Sequence, residues 1–371
     1  MGYNQSVDAP DERSLVARPR HVSAVALRTA LRRTVPAGVH PTGYAVAVGA
    51  AIAQVLTILW TWNLWTERDR PPNLPVVSIL SHVNWAPPLI LLALLTIASP
   101  RRVAPLFCGA YALAVLGDQV RLQPEVVSLA LLMTAPLFGA QGRRVARWHL
   151  TTLWTWAGIH KVLSLGWSDD GAAFIASALG HPSSRALVAV GLPVAEIAIG
   201  VASAFRKLWP FVRWAGVALN LGIFITLSPL FADWNSSVWS WNVALAMAAA
   251  LLFFNEEDRV RPNRIAVVIV AVLVVYPALF YVGVADAYLA HNLYSGNTSS
   301  AASCDASGSC STDLFDTWSA LNVPLPPDER IYRALFDRVC APGSTLIVRG
   351  PATRLTDPPT VHHHACPVGR R

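Results

Sequence analysis

The chain of 371 residues is 54% hydrophobic and only 14% charged, well below the charged quarter of a usual soluble domain. This composition excludes an ordinary soluble globular protein and indicates a polytopic membrane protein. The formal net charge of +7 could suggest a nucleic-acid partner, but the Lys and Arg residues fall in short clusters between apolar runs. We therefore attribute the charge to membrane topology, and we expect the lipid bilayer as partner and no nucleic acid.

Apolar runs, most of them long enough to cross a bilayer, follow the basic segment 1–40. In chain order the predicted spans are Gly43–Trp65, Val76–Ser99, Val103–Leu116, Pro124–Ala140, the central run within Trp148–Gly171, Ser184–Phe205, Leu208–Leu230, Val238–Phe254 and Ile265–Val284. The sequence thus predicts an all-α polytopic integral membrane protein, with about nine transmembrane helices in residues 41–285.

The positive clusters predict the topology. With segment 1–40 in the cytoplasm, the Lys and Arg residues at 101–102, 143–147, 206–207 and 259–264 all fall on the cytoplasmic side. An odd number of spans then places residues 286–371 outside. We expect a multi-pass protein of the cell membrane, with a cytoplasmic N-terminus and an extracytoplasmic C-terminus.

Cysteine placement agrees with that topology. Four of the five cysteines, Cys304, Cys310, Cys340 and Cys366, follow the last apolar run, which suggests an oxidising compartment. Four cysteines allow three pairings, and the sequence alone does not choose among them.

Residues 286–371 are predicted to form a small disulfide-stapled α/β module. Pro326–Cys340 has the pattern of a helix, and Ser344–Val348 could pair as a strand with Thr360–Ala365. One pairing would follow, because this helix and hairpin would bring Cys340 near Cys366 and leave Cys304 for Cys310. The Ser-, Ala- and Gly-rich stretch Asn297–Ser311 is expected to be a flexible linker.

Lys161 is the first candidate functional residue. An ionisable residue in a spanning helix costs roughly 2.5–3.5 kcal/mol and is usually retained for a reason. On a helix it shares a face with Trp154, Ala157 and Gly158, whose small members allow close packing. Partial removal from water there would make its amine a usable base. The alternative is a lysine that extends to the outer headgroups.

Other polar residues in the apolar runs need partners. Glu196 lies near the middle of its helix, and Lys161, Arg121 and His160 are its candidate partners. For His160 a proton relay and an interhelical hydrogen bond are both open, and we favour the hydrogen bond. Asp118 could order a polar network or form a structural clamp with Arg121.

Several runs resemble a known family. The run AGIHKVLSLGW at 157–167, with DDGAAF after it, resembles the signature of the HTTM family, which includes the vitamin K-dependent γ-glutamyl carboxylase. The runs DQVRLQP at 118–124, PVAEIAIG at 193–200 and SWNVALAMAAALLFF at 240–254 fall in the expected order. The resemblance covers roughly residues 20–285, and the family shares the topology predicted above.

The resemblance implies a function. Lys161 would be the general base that deprotonates vitamin K hydroquinone. His160, which stands where the carboxylase has a second lysine, would be a second catalytic residue. The Ala, Arg and Val bias suggests a bacterial source, in which menaquinol would be the available quinol. The reaction would be oxygen-dependent epoxidation of the quinol or a related carboxylase-like step. Residues 286–371 replace the large propeptide-recognising domain, which argues against full glutamate carboxylation.

The remaining site residues follow from the same resemblance. Trp154 and Trp167 would be ring neighbours of the quinol, and Asp118 and Glu196 would order the polar network. Asn220 stands near the place of a histidine in the carboxylase and would be a further substrate-binding residue.

Two further expectations concern the tail. The tract His362–His364 with Cys366 resembles a metal site in composition only, because successive residues of a strand point to opposite faces, so we expect no metal. The alternative function is a non-catalytic integral membrane protein, in which buried polar groups specify helix packing and the tail binds an extracytoplasmic protein partner.

Overall fold

A computed structural model describes residues 35–254, 260–355 and 358–367. The predicted cytoplasmic segment 1–40 lies mostly outside these residues. The first ten helices of the described chain are α1 Pro41–Trp60, α2 Ala86–Ala98, α3 Pro100–Gly117, α4 Pro124–Thr134, α5 Gly139–Leu163, α6 Ala173–Ala178, α7 Arg185–Ser203, α8 Trp209–Leu227, α9 Ser237–Leu252 and α10 Arg264–Val275.

Four helical stretches among the described residues are long and apolar enough to cross a membrane. They are Pro41–Trp60, Pro182–Ser203, Arg206–Leu227 and Arg264–Val282, which correspond to α1, α7, α8 and α10 with their flanking turns. The shorter apolar helices α2, α4 and α9 all pack against α1. The predicted helical, membrane-associated class is confirmed, whereas the count of nine spans and their sidedness stay predictions.

The helices in the structure differ in their bounds from the predicted spans, and two of these differences bear on the site. Val76–Ser99 becomes the shorter α2, which begins at Ala86 because Pro87 and Pro88 fit the first turn of a helix but not its interior. The central helix α5 begins earlier than predicted, at Gly139, and ends at Leu163. Lys161 therefore lies in the last turn of α5.

One end of the helical part is rich in arginine. Arg101, at the start of α3, donates to the carbonyl of Gly38, just before α1. Arg144 in α5 donates to the carbonyl of Val260 at 2.9 Å, just before α10. Nε of Arg101 also donates to the carbonyl of Leu137 at 3.1 Å, just before α5. The start of α1 and Val260 therefore lie at the same, positively charged end.

The C-terminal residues form the predicted small module. Its helices are α11 Trp318–Leu321 and α12 Glu329–Val339, and its strands are β1 Ser300–Cys304, β2 Cys310–Ser311, β3 Thr345–Arg349 and β4 Val361–Ala365. The antiparallel sheet has the order β2-β1-β3-β4, so the predicted hairpin of β3 and β4 is confirmed. The disulfides are Cys304–Cys310 and Cys340–Cys366, the pairing that a helix and hairpin favour.

The prediction of a flexible linker at Asn297–Ser311 is wrong. This stretch carries β1 and β2, and Asn297 is fully buried. Small Ser and Ala side chains allow β1 to lie in the middle of the sheet, where it pairs with both β2 and β3. Composition alone missed these pairings.

The module rests on the end of the helical part that lies opposite the arginines. The side chain of Asn322 donates to the carbonyl of Trp60, the last residue of α1, at 3.2 Å. The backbone N–H of Arg354 donates to the carbonyl of Leu163 at 2.8 Å, and its Nε donates to the carbonyl of Val162 at 3.0 Å. Arg354 thus satisfies carbonyls that the last turn of α5 would otherwise leave without partners.

Candidate functional site

Lys161 and Glu196 form a buried ion pair between α5 and α7. Nζ of Lys161 lies 2.9 Å from each carboxylate oxygen of Glu196, and the two side chains are only 6% and 5% exposed. Nζ also donates to the carbonyl of Ala157 at 3.3 Å. Of the two positions that the sequence left open for Lys161, the structure shows the interior one, and the partner of Glu196 is Lys161.

Glycines on both helices bring the two charges together. A Cβ on Gly158 of α5 would lie 2.6 Å from Cγ1 of Ile197 and 2.7 Å from the carbonyl oxygen of Pro193. A Cβ on Gly200 of α7 would lie 2.7 Å from the backbone nitrogen of Thr155. These distances are shorter than van der Waals contact, so only glycine permits this approach, as the small residues of this face of α5 predict.

The indole ring of Trp167 lies beside the Lys161–Glu196 ion pair. Nζ of Lys161 lies 5.4 Å from the centroid of the indole ring, a distance at which the ring face attracts a cation. The indole N–H donates to the carbonyl of Ala189 at 2.9 Å, and the backbone N–H donates to Oγ of Ser164, also at 2.9 Å. Gly171 lies so close to the ring that a Cβ would be 2.5 Å from Cε3. The ring is therefore held in one orientation.

An apolar cavity of about 570 Å³ lies beside the ion pair. Its lining includes Trp167, Phe174, Leu192, Ile223, Trp234 and Tyr294. Lys161, Glu196 and Asp170 are the Lys and acidic residues in that lining. The volume falls within the roughly 300–1,000 Å³ that is usual for small-molecule sites. A flat apolar molecule with one polar edge would fit this arrangement.

A second, small cavity of about 80 Å³ adjoins the same ion pair. Trp154 and Asn220 line it and do not line the larger cavity. The indole N–H of Trp154 is buried without a hydrogen-bond partner among the described residues. Asn220 donates to the carbonyl of Gly216 in its own helix at 2.8 Å. Trp167 and Glu196 thus reach the larger cavity, whereas Trp154 and Asn220 reach only the smaller one.

The loop at 291–297 folds back to complete both cavities. His291 and Tyr294 have φ angles of 61° and 55°, in the left-handed region that residues other than glycine rarely adopt. The side chain of Asn297 donates to the carbonyl of His160 at 3.1 Å. Gly296, with φ of 72°, lies against the turn that follows α5. This loop lies in the part of the sequence assigned to the tail, yet Tyr294 lines both cavities.

Aromatic rings meet where the larger cavity adjoins an outer pocket. The ring centroid of Trp234 lies 5.1 Å from that of Phe174, 4.9 Å from that of Tyr294 and 4.7 Å from that of Trp318. The outer pocket has a volume of about 500 Å³ and is lined mainly by residues after Tyr288. Trp234 and Tyr294 line both spaces, so these rings lie between the apolar cavity and the outer pocket.

Both ring nitrogens of His160 form hydrogen bonds that join α5 to a later segment of the chain. Nδ1 lies 2.7 Å from the hydroxyl of Tyr281, and Nε2 lies 2.8 Å from the carbonyl oxygen of Ala290. In a neutral ring, Nε2–H donates to the carbonyl and Nδ1 accepts from the tyrosine. His160 lines neither cavity. We therefore give it no part in the chemistry proposed below.

Asp118 lies in a separate polar cluster. Its Oδ1 accepts from the backbone N–H groups of Leu74 at 3.0 Å and Val120 at 3.2 Å. Its Oδ2 lies 2.5 Å from Nη2 of Arg68 and 3.9 Å from Nε of Arg121. Asp118 is fully buried and lines neither cavity. Of the two roles open for it, this geometry is that of a structural clamp.

Three aromatic residues of the cavity wall, Phe174, Trp234 and Tyr294, were not predicted from the sequence. All three lie beyond the predicted spans or at their ends, where hydropathy carries little information. The one usable signal was aromatic residues among turn-forming Asn, Ser, Asp and Gly at 232–237 and 292–297. That signal predicts turns but not which part of the protein the turns pack against.

Comparison with protein-family models, curated proteins and solved structures finds no match to the chain. The chemical interpretation therefore depends on the site itself. A buried amine and carboxylate at hydrogen-bond distance can exchange a proton, and an adjoining apolar cavity can hold an organic substrate near them.

Proposed function

We propose that the chain is a multi-pass membrane protein related to the HTTM family, and that it binds a membrane quinol, menaquinol or vitamin K hydroquinone. Lys161 is the general base that deprotonates this quinol. The observation that carries the proposal is the Lys161–Glu196 pair in the wall of the apolar cavity of about 570 Å³. The AGIHK run at 157–161 supports the family relationship.

The quinol ring would lie among the aromatic side chains of the larger cavity. Trp167 is held in place by the hydrogen bonds of its indole N–H and its backbone N–H, and Phe174 and Tyr294 supply further ring surface. Aromatic pairs add about 0.5–1.5 kcal/mol beyond the burial of area. A hydroxyl at one end of the ring would then meet Nζ of Lys161.

Glu196 would prepare Lys161 to act as a base. Because both carboxylate oxygens lie 2.9 Å from Nζ, a proton can move from the ammonium to Glu196 without rearrangement. The neutral amine then accepts the proton of the quinol hydroxyl. The resulting ammonium lies beside the quinolate and stabilises its charge in a site with little water.

Oxygen would be the second reactant. One quinol and one O₂ yield one quinone epoxide and one water, so the reaction needs no further oxidant. The apolar cavity would keep bulk water away from the reactive anion. In a carboxylase-like variant, the outer pocket of about 500 Å³ would admit the carboxyl acceptor from the module side.

The proposed topology places the N-terminus in the cytoplasm and the module outside. Arg101 and Arg144 lie at one end of the helical part, as expected for a cytoplasmic face. Two disulfides lie in the module at the other end, as expected for an oxidising compartment.

A second candidate is a non-catalytic membrane protein whose tail binds a protein partner outside the cell. The outer pocket favours it, because module residues such as Asp316 and Tyr332 offer a partner both polar and aromatic groups. In that case Lys161 and Glu196 would only specify the packing of α5 against α7.

The test compares two lysine variants in nanodiscs. Lys161 and Lys207 are the only lysines of the chain, and Lys207 is exposed, so Lys207→Met is the matched control for Lys161→Met. Reduced menaquinone or vitamin K hydroquinone is added with oxygen, and we measure quinol binding and epoxide formation. Wild type and Lys207→Met should form epoxide. Lys161→Met should still bind quinol, but its rate of epoxide formation should fall at least roughly 100-fold. Absence of quinol binding in wild type would instead favour the non-catalytic candidate.

A further inference from the structure

Three metal-ligand side chains meet on the outer surface of the module. Oε2 of Glu329 lies 2.7 Å from Nδ1 of His362, and Oε1 lies 2.8 Å from Nε2 of His364. One ligand atom from each residue lies within 4.8 Å of the others. The side chains of Glu329, His362 and His364 are 38%, 51% and 21% exposed, so an ion could enter from water. None of the three lines the larger cavity.

The register of the sheet places the two histidines on one face. His362 pairs with Val348 and His364 with Leu346 across β3 and β4. Val348 and Leu346 are buried, and β3 packs against α12. Because alternate residues of a strand share a face, His362 and His364 lie on the α12 side and His363 lies on the other.

Helix α12 supplies the carboxylate and is fixed to β4. Glu329 is the first residue of α12, after Asp328, whose side chain caps the helix. At the other end of α12, Cys340 is bonded to Cys366, directly after β4. A covalent bond therefore limits how far the carboxylate can move from the histidines.

We propose that Glu329, His362 and His364 bind a divalent transition-metal ion, Zn²⁺ by preference. Two imidazoles and one carboxylate, with a fourth position open to water, are a ligand set that Zn²⁺ uses. In a tetrahedral site, neighbouring ligand atoms lie about 3.3 Å apart. The carboxylate and each imidazole must separate by about half an ångström to reach that spacing. The ligand nitrogens of the two imidazoles lie within 4.8 Å of each other and must approach by up to about 1.5 Å, which their exposed side chains allow.

Binding of the ion replaces the two hydrogen bonds that join Glu329 to His362 and His364. Each imidazole N–H now donates to one oxygen of Glu329. Metal binding needs the unprotonated nitrogen, so each ring carries its proton on its other nitrogen when the ion enters. For neutral rings this exchange is a change of tautomer, without net release of a proton.

The site differs from the metal site that the sequence analysis rejected. Three successive histidines of a strand and Cys366 cannot all face one ion. Cys366 is in a disulfide, and the third ligand instead comes from Glu329, which lies 33 residues from His362 in the chain. Residues of a strand point alternately to opposite faces, which rules out a site of three successive histidines but places His362 and His364 on the same face.

The experiment uses the full chain in detergent without a histidine tag, because a tag would itself bind metal. The protein is treated with chelator, dialysed and titrated with Zn²⁺ by calorimetry, and the absorption spectrum is recorded with Co²⁺. We expect one ion per chain and a tetrahedral Co²⁺ spectrum. Glu329→Gln and His364→Ala should each weaken binding roughly 100-fold. His363→Ala, on the opposite face of β4, should bind as wild type does.

Two results would overturn the proposal. One is the absence of stoichiometric Zn²⁺ binding by wild type, which would leave the three residues as a hydrogen-bonded cluster only. The other is a loss in His363→Ala as large as that in His364→Ala, which would assign binding to the histidine tract without a defined site. Mass measurement without reductant verifies that Cys340–Cys366 is intact in each variant. The readout does not involve quinol, so it is independent of the function proposed for Lys161.

Discussion

Lys161 and Glu196 are 35 residues apart in the chain, yet Nζ of the lysine lies 2.9 Å from both carboxylate oxygens of the glutamate. A buried charge without its partner is costly, so this pair constrains how α5 packs against α7. The same amine and carboxylate are the groups between which we propose that a proton moves. Stability and chemistry can therefore be tested on the same residues.

Removal of one charge should cost more than removal of both. Lys161→Met leaves a buried carboxylate without its cation, and we expect the free energy of unfolding to fall by about 3–5 kcal/mol. Lys161→Met with Glu196→Leu removes both charges and should recover much of that loss. Thermal unfolding in detergent measures the difference. A double variant as unstable as the sum of the two single variants would show that the residues are not coupled.

The close approach of α5 and α7 should not tolerate a methyl group. Gly200→Ala would place a Cβ 2.7 Å from the backbone nitrogen of Thr155. We expect a loss of about 1–3 kcal/mol and lower quinol turnover, because the helices must separate. Gly191→Ala is the control on the same helix, since nothing lies within 4 Å of its added Cβ. Equal effects of the two substitutions on unfolding and turnover would contradict this account.

Trp234 should contribute to quinol binding. Its ring lines the larger cavity and contacts Tyr294, so Trp234→Leu should weaken quinol binding about tenfold. Trp214→Leu replaces an indole that is 63% exposed in the same part of the chain and should leave affinity unchanged. Quinol titration followed by tryptophan fluorescence compares the two. The interpretation fails if Trp214→Leu binds as weakly as Trp234→Leu.

Cysteine labelling should reveal the sidedness of the chain. Arg333 on α12 and Lys207 before α8 are both exposed, and the proposed topology places them on opposite sides of the membrane. In a Cys108→Ser background, a maleimide that does not cross membranes should label Arg333→Cys in intact cells. It should label Lys207→Cys only after the cells are permeabilised. The reverse pattern would invert the topology.

The two disulfides should differ in their contribution to stability. Cys340–Cys366 joins residues 26 apart, whereas Cys304–Cys310 joins residues 6 apart. Because a longer closed loop restricts the unfolded chain more, loss of Cys340–Cys366 should cost about 3 kcal/mol, and loss of the other bond should cost less. Limited proteolysis of the paired Cys→Ser variants measures this in the module. Greater sensitivity after loss of Cys304–Cys310 would oppose the prediction.

Local pattern was enough to predict much of the fold. Hydropathy located the long apolar helices, and the predicted β3–β4 hairpin and the position of Cys340 after a helix anticipated the disulfide to Cys366. The helical face of Lys161 with Gly158 indicated close packing, which the structure shows against α7. Each of these features depends on residues near one another in sequence or on a strong periodicity.

The wall of the cavity could not be predicted in this way. Tyr294 reaches it because the chain turns through left-handed conformations at His291 and Tyr294, and nothing in the local composition specifies where such a loop will pack. Asn297 shows the same difficulty, since its partner is the carbonyl of His160, 137 residues away. The polar composition of this loop matches that of a solvent-exposed segment, although Asn297 is fully buried.

Arg354 of the C-terminal module donates to the carbonyls of Val162 and Leu163, so an unrelated domain cannot replace the module without loss of these hydrogen bonds. A reporter protein fused after residue 285 in place of the module would remove the donors that serve the last turn of α5, together with Tyr294 from the wall of the cavity. Chimeras built at that junction should therefore lose quinol binding even though every apolar helix is retained. A fusion joined beyond Cys366 keeps these contacts and is the suitable choice for imaging or purification.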